Sequence, residues 1–458
     1  MIIPSWLRLV ALAVLISGPG FAQTRKVAMP TASRAAVAGL LRSGPMVGYS
    51  EVREVALWVQ ATGPATAQIE YWEPARPQQK WRTVAVAATA AHAYAVHLLA
   101  DKVQPGRRYT YALYLNGQLV ARPYPLEFQS QALWQGQQAP PDFRFAMGSC
   151  AYINDAPYER PGVLPGSGYE IFTSINAQKP DFMLWLGDNS YLREADWNTR
   201  TGIYHRYAHS RAVPEMQPLL ARAHQYAIWD DHDYGPNNAD RSFVNKGLML
   251  SAFKDYWANP NYGQTLGEGV GGTFQWNDVE FFLLDNRWFR SSNNYNAKEG
   301  SYLGAAQLTW LLDALSSSTA PFKMVVVGGQ VLNPAKVFEN YSNYEQERAA
   351  LLQGIAARKI SGVVFLDGDR HHTELTKLER PGTYPLYDFT CSPLTAGAGT
   401  SGRTEANTSR VDGTLITERN FAVVAVSGPP ATRQLRLSVH NQAGKLLWER
   451  SIAANDLK

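Results

Sequence analysis

Six apolar segments, each ending in polar or ionisable residues, constrain the fold of this chain most strongly. The segments are almost continuously apolar, which is typical of strands in a sheet that helices cover. Helical stretches alternate with them; for example, Leu308, Leu311, Leu312 and Leu315 recur at the spacing of one helix face. In layered α/β folds, ligands bind at the carboxyl ends of the strands. The pattern therefore predicts an α/β domain with a binding site at one edge of a sheet.

The residues that end these segments are candidate metal ligands and catalytic groups. In chain order they are Ser149 and Cys150, Asp188 and Tyr191, Asp230, Asp231, His232 and Asp233, Asp285, Arg287 and Arg290, Gln330 and Asn333, and Asp369 and His371. Carboxylate and amide oxygens suit a hard cation such as Ca2+, whereas thiolate and imidazole suit a transition metal. Because neighbouring carboxylates repel one another unless cations separate them, we expect a site for one softer and one harder cation.

The last of these segments, VVFLDGDRHH at residues 363–372, predicts how two ligands are spaced. Side chains alternate along an extended chain, so Asp369 and His371 are expected on the same side. Arg370 is then expected to point the other way. Asp367 is expected to be structural, and His372 is not a predicted ligand.

The first 22 residues have the layout of a secretory signal peptide. Arg8 precedes an apolar core at residues 9–16, and small residues lead to a predicted cleavage site after Ala22. A membrane anchor is the alternative interpretation, but the apolar run is too short to span a bilayer. The segment contains no twin-arginine pair. We therefore expect Sec-type export to the periplasm or the exterior, without a stable membrane anchor.

Two regions with different patterns follow the predicted leader. Residues 35–130 contain short alternating strands separated by turns, including the hairpin signal Asn116-Gly117. This pattern predicts a small all-β domain of the immunoglobulin or fibronectin type. A linker with the pair Pro140-Pro141 leads to the second region, the predicted catalytic domain at residues 143–455.

Charge and cysteine content limit the possible partners. The net charge is +4, from 43 basic and 39 acidic residues, and no basic tract is present, so specific nucleic-acid binding is not expected. The two cysteines, Cys150 and Cys391, do not make a disulfide framework. Three roles remain open for Cys150: a metal ligand, an inert buried thiol, or a partner of Cys391.

We expect the protein to be a monomer.

Five motifs together resemble the alkaline phosphatase D (PhoD-like) family of metallophosphoesterases. They are GSC at 148–150, GDNSY at 187–191, WDDHDYGPNN at 229–238, LDNRWFR at 284–290 and GDRHH at 368–372. Their order matches the family, as does the preceding β-domain, and the resemblance covers about residues 35 to 455. It implies an α/β fold, a four-layer α-β-β-α metallophosphoesterase sandwich preceded by the small β-domain.

The resemblance also implies which cations are bound and by which residues. Ferric iron (Fe3+) would be held by Cys150, Asp188, Tyr191 and His371. Calcium (Ca2+) would be held by Asp188, Asp369 and a residue of the 231–238 loop, for which Asp231, Asn237 and Asn238 are the alternatives. Other divalent metals are possible.

The function implied is that of an exported alkaline phosphatase or phosphodiesterase, acting on small-molecule or lipid phosphoesters through metal-activated water or hydroxide. His232 would stabilise the leaving oxygen or the transition state. Arg287 and Arg290 would neutralise the non-bridging phosphoryl oxygens. Two alternatives are a non-catalytic surface protein that binds a ligand or glycan and has a structural metal site, and a phospholipase D-like enzyme of the same fold.

Overall fold

A computed structural model describes residues 39–162, 165–263, 268–293 and 300–458. The predicted signal peptide at residues 1–22 lies outside these ranges. Within them, no helix has the length and apolar character needed to cross a membrane.

The described part of the chain is rich in short strands, most of them in its first and last thirds. The strands are β1 (Leu41–Ser50), β2 (Val55–Ala61), β3 (Ala65–Trp72), β4 (Lys80–Arg82), β5 (Val86–Ala88), β6 (Ala95–Ala100), β7 (Arg108–Leu115), β8 (Gln118–Val120), β9 (Glu127–Gln129), β10 (Phe143–Gly148), β11 (Phe182–Leu186), β12 (His224–Ile228), β13 (Gly272–Trp276), β14 (Val279–Leu283), β15 (Phe322–Val326), β16 (Val363–Asp367), β17 (Glu374–Leu378), β18 (Leu386–Thr390), β19 (Asn420–Ser427), β20 (Gln434–Asn441) and β21 (Leu446–Ala453). The α-helices are α1 (Ile171–Ala177), α2 (Arg200–Arg211), α3 (Gln217–Leu220), α4 (Asp231–Tyr234), α5 (Lys246–Tyr256), α6 (Ala305–Ser317) and α7 (Glu345–Ala357).

Two sheets pack face to face and helices cover their outer faces. One sheet has nine strands in the order β21-β20-β19-β10-β11-β12-β1-β2-β6, and the other has six in the order β13-β14-β15-β16-β18-β17. Between them, Phe145 stacks on Phe182 at 4.8 Å between ring centroids and meets Phe281 of the opposite sheet edge-on at 5.4 Å. Helices α1, α2, α3 and α5 share a core with the nine-stranded sheet, and α6 and α7 with the six-stranded sheet. The predicted four-layer α-β-β-α sandwich is confirmed.

The six segments that end in polar residues are divided between the two sheets. Strands β10, β11 and β12 are parallel neighbours in the nine-stranded sheet, and β14, β15 and β16 are parallel neighbours in the six-stranded sheet. The expectation of a single sheet edge is therefore corrected: two edges face each other. Since parallel strands end at the same edge of their sheet, all six carboxyl ends border one cleft.

The region from β1 to β9 is all-β, as predicted, but it is continuous with the catalytic sheet. Strands β3, β4, β5, β7, β8 and β9 form a third sheet. Strands β1, β2 and β6 instead extend the nine-stranded sheet, because β1 pairs with β12 in parallel at Val47 and His224. These strands and the third sheet enclose a separate hydrophobic core.

Candidate metal centre

Three overlapping groups of ligand atoms meet at the cleft between the two sheets. They are Cys150, Asp188 and His371; Asp188, Asp231 and His232; and Asp230, Asp231 and Asp369. Within each group the potential ligand atoms lie within 4.8 Å of one another. Asp188 belongs to two groups and Asp231 to two, so neighbouring cation positions would share a bridging carboxylate. All seven residues of these groups were named as candidates in the sequence analysis.

Cys150, Asp188, Tyr191 and His371 form one side of this centre. The Cys150 Sγ lies 3.5 Å from the Asp188 Oδ2. The Tyr191 hydroxyl donates to the same carboxylate oxygen at 3.0 Å and lies 3.3 Å from the His371 Nε2. The His371 Nδ1 contacts the carbonyl oxygen of Gly397 at 2.6 Å. Because Nδ1 then carries the hydrogen, Nε2 presents a lone pair to the centre, as in most metal-binding histidines.

The two cysteines are both buried and free, so the alternative of a Cys150–Cys391 disulfide is not seen. Burial raises the pKa of the Cys150 thiol to about 11, and the negative charge of Asp369 adds to this rise. A thiolate at this position therefore requires a compensating positive charge, which a bound cation supplies.

The carboxylates at the centre are buried close together. Burial, followed by the charge of Asp231, raises the pKa of Asp188 well above its usual range. Burial and the charge of Asp230 raise the pKa of Asp369 to about 8. Uncompensated buried carboxylates are strongly unfavourable. The donor set, one thiol, one phenol, one imidazole and several carboxylates, therefore fits bound cations.

Two of the three acids in the 230–238 segment, Asp231 and Asp233, have different tasks. The Asp231 Oδ2 accepts the backbone N–H of Asn238 at 2.6 Å, and its other oxygen accepts the backbone N–H of His232 at 2.9 Å. The Asp233 carboxylate instead accepts backbone N–H groups from residues 189, 190 and 230. Asp233 thus ties the loop that carries Asp188 to the loop that carries Asp231.

A cavity of about 420 Å³ opens onto this centre. Its described lining residues are Asp188, Asp231, His232, Asn237, Asn238, Phe338, Glu339, Asp369, Arg370, His371, Gly399 and Ser401. The imidazole of His232 stacks on the Tyr191 ring at 4.2 Å between centroids, which fixes its orientation on the cavity wall. All three candidates of the 231–238 loop, Asp231, Asn237 and Asn238, border this cavity.

Arg287 and Arg290 lie behind the cavity, and neither is among its described lining residues. Both are fully buried. The Arg287 Nε donates to the Asp230 Oδ1 at 2.5 Å, and Glu339 forms ion pairs with both guanidinium groups. Direct contact with a phosphoryl oxygen stays a prediction for these two residues.

Arg370 is the arginine that the structure places on the cavity wall, although the sequence analysis expected it to point away. The expectation was wrong because it required an extended chain. Strand β16 ends at Asp367, and both Asp369 and His371 adopt left-handed backbone, with φ of 66° and 52°. Arg370 donates to Asn340 at 2.8 Å and pairs with Glu405.

Left-handed backbone is concentrated at the predicted ligands. Among the described residues other than glycine, twelve have positive φ, and five of these are Cys150, Asp188, Asn238, Asp369 and His371. Such conformations cost of order 1–3 kcal/mol each and cluster at functional sites. Five of the predicted ligands thus lie on backbone of this unusual kind.

Comparisons with known proteins agree with this geometry. The family model of the PhoD-like phosphatase matches residues 145–427, and that of a domain of unknown function, DUF7800, matches residues 38–133. No match was found among curated protein sequences.

Two solved structures are similar over most of the chain. One is described as the structure of PhoD, with 17% identity and a TM-score of 0.72, covering 90% of this chain and 92% of that one. The other is the purple acid phosphatase PPD1 from yellow lupin (Lupinus luteus) seeds, with 12% identity, a TM-score of 0.62, and coverage of 89% of this chain and 74% of that one. These likenesses show the fold, and the family model covers more than half of the chain. The chain therefore belongs to the PhoD-like phosphatase family.

Proposed function

We propose that the protein is an exported hydrolase of phosphodiesters, phosphomonoesters or both, in small molecules or lipids. The observation that carries this proposal is the set of three overlapping ligand groups beside an open cavity. Membership of the family supports metal-dependent phosphoester hydrolysis. A closed structural metal site would not need a cavity of about 420 Å³ next to it.

The donor types support a division of the centre between two kinds of cation. We assign Fe3+ to the side with the thiol, phenol and imidazole, held by Cys150, Asp188, Tyr191 and His371. We assign Ca2+ to the oxygen-rich side, held by Asp188, Asp231 and Asp369 with an amide from Asn238 or Asn237. Other divalent metals could occupy the oxygen-rich side.

The residues around the cavity account for binding and proton handling. Bound cations would supply charge neutralisation of the phosphoryl oxygens and a lowered pKa of water. His232, which is held against Tyr191, would stabilise the leaving oxygen or the transition state. Arg370 contributes a guanidinium on the same wall. Arg287 and Arg290 hold Asp230 and Glu339 in place, and direct neutralisation of phosphoryl oxygens by these two arginines stays a prediction.

The test is hydrolysis of a chromogenic phosphodiester and a chromogenic phosphomonoester by the purified protein. We expect a chelator to abolish turnover and Asp188→Asn to reduce it by at least about 100-fold, because Asp188 belongs to two ligand groups. Asp313→Asn, on the exposed face of α6, is the control and should keep full activity. Activity that survives both the chelator and Asp188→Asn would overturn the proposal.

Lipid and small-molecule substrates are separated by repeating the assay with phospholipid vesicles. Turnover of vesicle phospholipid that exceeds turnover of the soluble esters would assign a phospholipase-type activity to this fold. Export and the monomeric state are part of the proposal and are tested by fractionation of cells and by light scattering.

A further inference from the structure

An exposed phenylalanine stands at the mouth of the candidate metal centre. Phe338 is 65% exposed and lines the same cavity as Asp188, Asp369 and His371. Its φ is 47°, in the left-handed region, where a bulky residue is rare. An apolar ring that is exposed on strained backbone, beside a polar catalytic cavity, has no role in the core. Its position points instead to contact with a ligand.

The loop that carries Phe338 is anchored at the ring residue itself and at the residue that follows it. The next residue, Glu339, is buried and paired with Arg287 and Arg290. The carbonyl oxygen of Phe338 accepts a hydrogen bond from the Asn343 side chain at 2.8 Å. The ring is therefore presented by a fixed backbone, which the buried Arg287 and Arg290 hold in place through Glu339.

One contact on the ring leaves much of its surface available. The guanidinium of Arg370 lies over the Phe338 ring at 4.8 Å from the centroid. Arg370 is itself held by Asn340 and Glu405, so the arginine supports the ring from the protein side. The remaining surface, most of the side chain, is open to the cavity and solvent.

We propose that Phe338 is a stacking platform for an aromatic ring in the organic part of the substrate. The preferred substrates would be phosphoesters whose alcohol carries a planar ring, such as the base of a nucleotide. This inference rests on the proposed function of the centre. A base stacked on an aromatic side chain contributes enough binding for about a tenfold preference.

The test compares substrates that are esters of the same ribose 5-oxygen and differ in whether that ribose carries a planar ring. Adenosine 5'-monophosphate and ribose 5-phosphate form the monoester pair, and their methyl esters form the diester pair. In the wild-type protein we expect kcat/KM to favour the adenosine compound by about tenfold in the pair that is hydrolysed faster. Phe338→Ala should reduce that ratio to near one, and Phe338→Trp should keep it.

Two further variants separate the ring from the loop. Phe338→Asn removes the ring but suits left-handed backbone, so it should lower the ratio as Phe338→Ala does. Val84→Ala, which trims a similarly exposed apolar side chain in the N-terminal region, should leave the ratio unchanged.

Three results would contradict these proposals. A wild-type ratio near one, or a ratio unchanged in Phe338→Ala and Phe338→Asn, would overturn the stacking role while the hydrolase stands. Hydrolysis of neither member of either pair would overturn the stacking role, and it would overturn the proposed function as well if the chromogenic esters are also left unhydrolysed.

Discussion

At the scale of single residues, the candidate ligands are defined by backbone as much as by chemistry. Cys150 and Asp188 have φ of 58° and 53°, directly after strands that end in a glycine or lead into one. A left-handed residue interrupts the extended backbone at the end of its strand. The Cys150 thiol and the Asp188 carboxylate, which follow neighbouring strands, lie 3.5 Å apart at this point.

Replacing the Cys150 thiol tests its assignment as a ligand. Cys150→Ser keeps the size of the side chain but replaces the thiolate donor, so we expect metal retention to weaken by at least about tenfold. Metal analysis after dialysis measures this. Cys391→Ser changes an equally buried thiol outside the three ligand groups and should keep its metal. Equal metal loss in both variants would show that folding, and not ligation, is affected.

The residues of the centre could be predicted where a ligand type follows an apolar strand. Cys150, Asp188 and His371 were found in this way. The direction of the Arg370 side chain was predicted wrongly, because side chains do not alternate regularly where neighbouring residues have left-handed backbone. Asp230 was named as a candidate from its motif. Its membership of a ligand group depends on Asp369 of the opposite sheet, and the motif does not predict how the two sheets are aligned.

At the scale of elements, the anchored loop after β15 shows how buried charge organises the cavity. The negative charge of Glu339 compensates the positive charges of Arg287 and Arg290, whose guanidinium groups are buried away from water. Burial of an ion-paired group is tolerated only while its partner is charged. The loop is therefore tied to the 230–231 segment, since Arg287 also binds Asp230.

Removing the charge of Glu339 should destabilise the protein strongly. Glu339→Gln leaves two buried guanidinium groups with one carboxylate fewer, and we expect a loss of about 3 kcal/mol or more in the free energy of unfolding. Urea unfolding measures it. Glu345→Gln changes a largely exposed ion pair with Lys336 and should cost less than about 1 kcal/mol. Similar losses in both variants would refute the buried role of Glu339.

Elements with a clear apolar period were predictable, and those with polar buried faces were not. The spacing of Leu308, Leu311, Leu312 and Leu315 predicted α6. Helix α2 was missed because Arg206 and Arg211 are among its buried residues. Strand β1 was missed because Pro45 argues against a central strand; the register with β2 shifts between Ser43 and Met46, and this irregularity accommodates the proline.

At the scale of the whole molecule, the sequence predicted two regions but not that they share a sheet. The junction is the single parallel pair of Val47 and His224, on a strand that the pattern did not reveal. His224 is fully buried there. Its Nδ1 contacts the Gly48 carbonyl oxygen at 2.8 Å, and its Nε2 accepts the backbone N–H of Gln129 at 3.2 Å. Only the neutral imidazole satisfies both contacts.

This junction makes stability depend on pH. Burial lowers the pKa of His224 from its usual 6.5 to about 4. Between these values the unfolded chain binds the proton and the folded chain does not, so the contribution is complete above pH 6.5 and is lost as the pH falls towards 4. We expect about 3 kcal/mol of stability to disappear across this window.

Urea unfolding at pH 7.5 and pH 4.5 measures the effect. His224→Gln, which cannot take up a proton, should lose less stability between the two pH values than the wild type does. His440→Gln, on β20 near its end and partly exposed, is the control and should keep the wild-type difference. An unchanged pH dependence in His224→Gln would refute this assignment.

The shared sheet also has a consequence for biosynthesis. Strand β1 is made long before β12, its neighbour in the nine-stranded sheet, so the N-terminal region cannot complete its hydrogen bonding until the chain has grown past residue 228. Pairing over such a separation closes slowly. A protein shortened to begin at residue 143 would present β12, an apolar strand, as an uncovered edge, and such edges recruit other chains. We therefore expect a protein shortened in this way to aggregate more readily than the full chain.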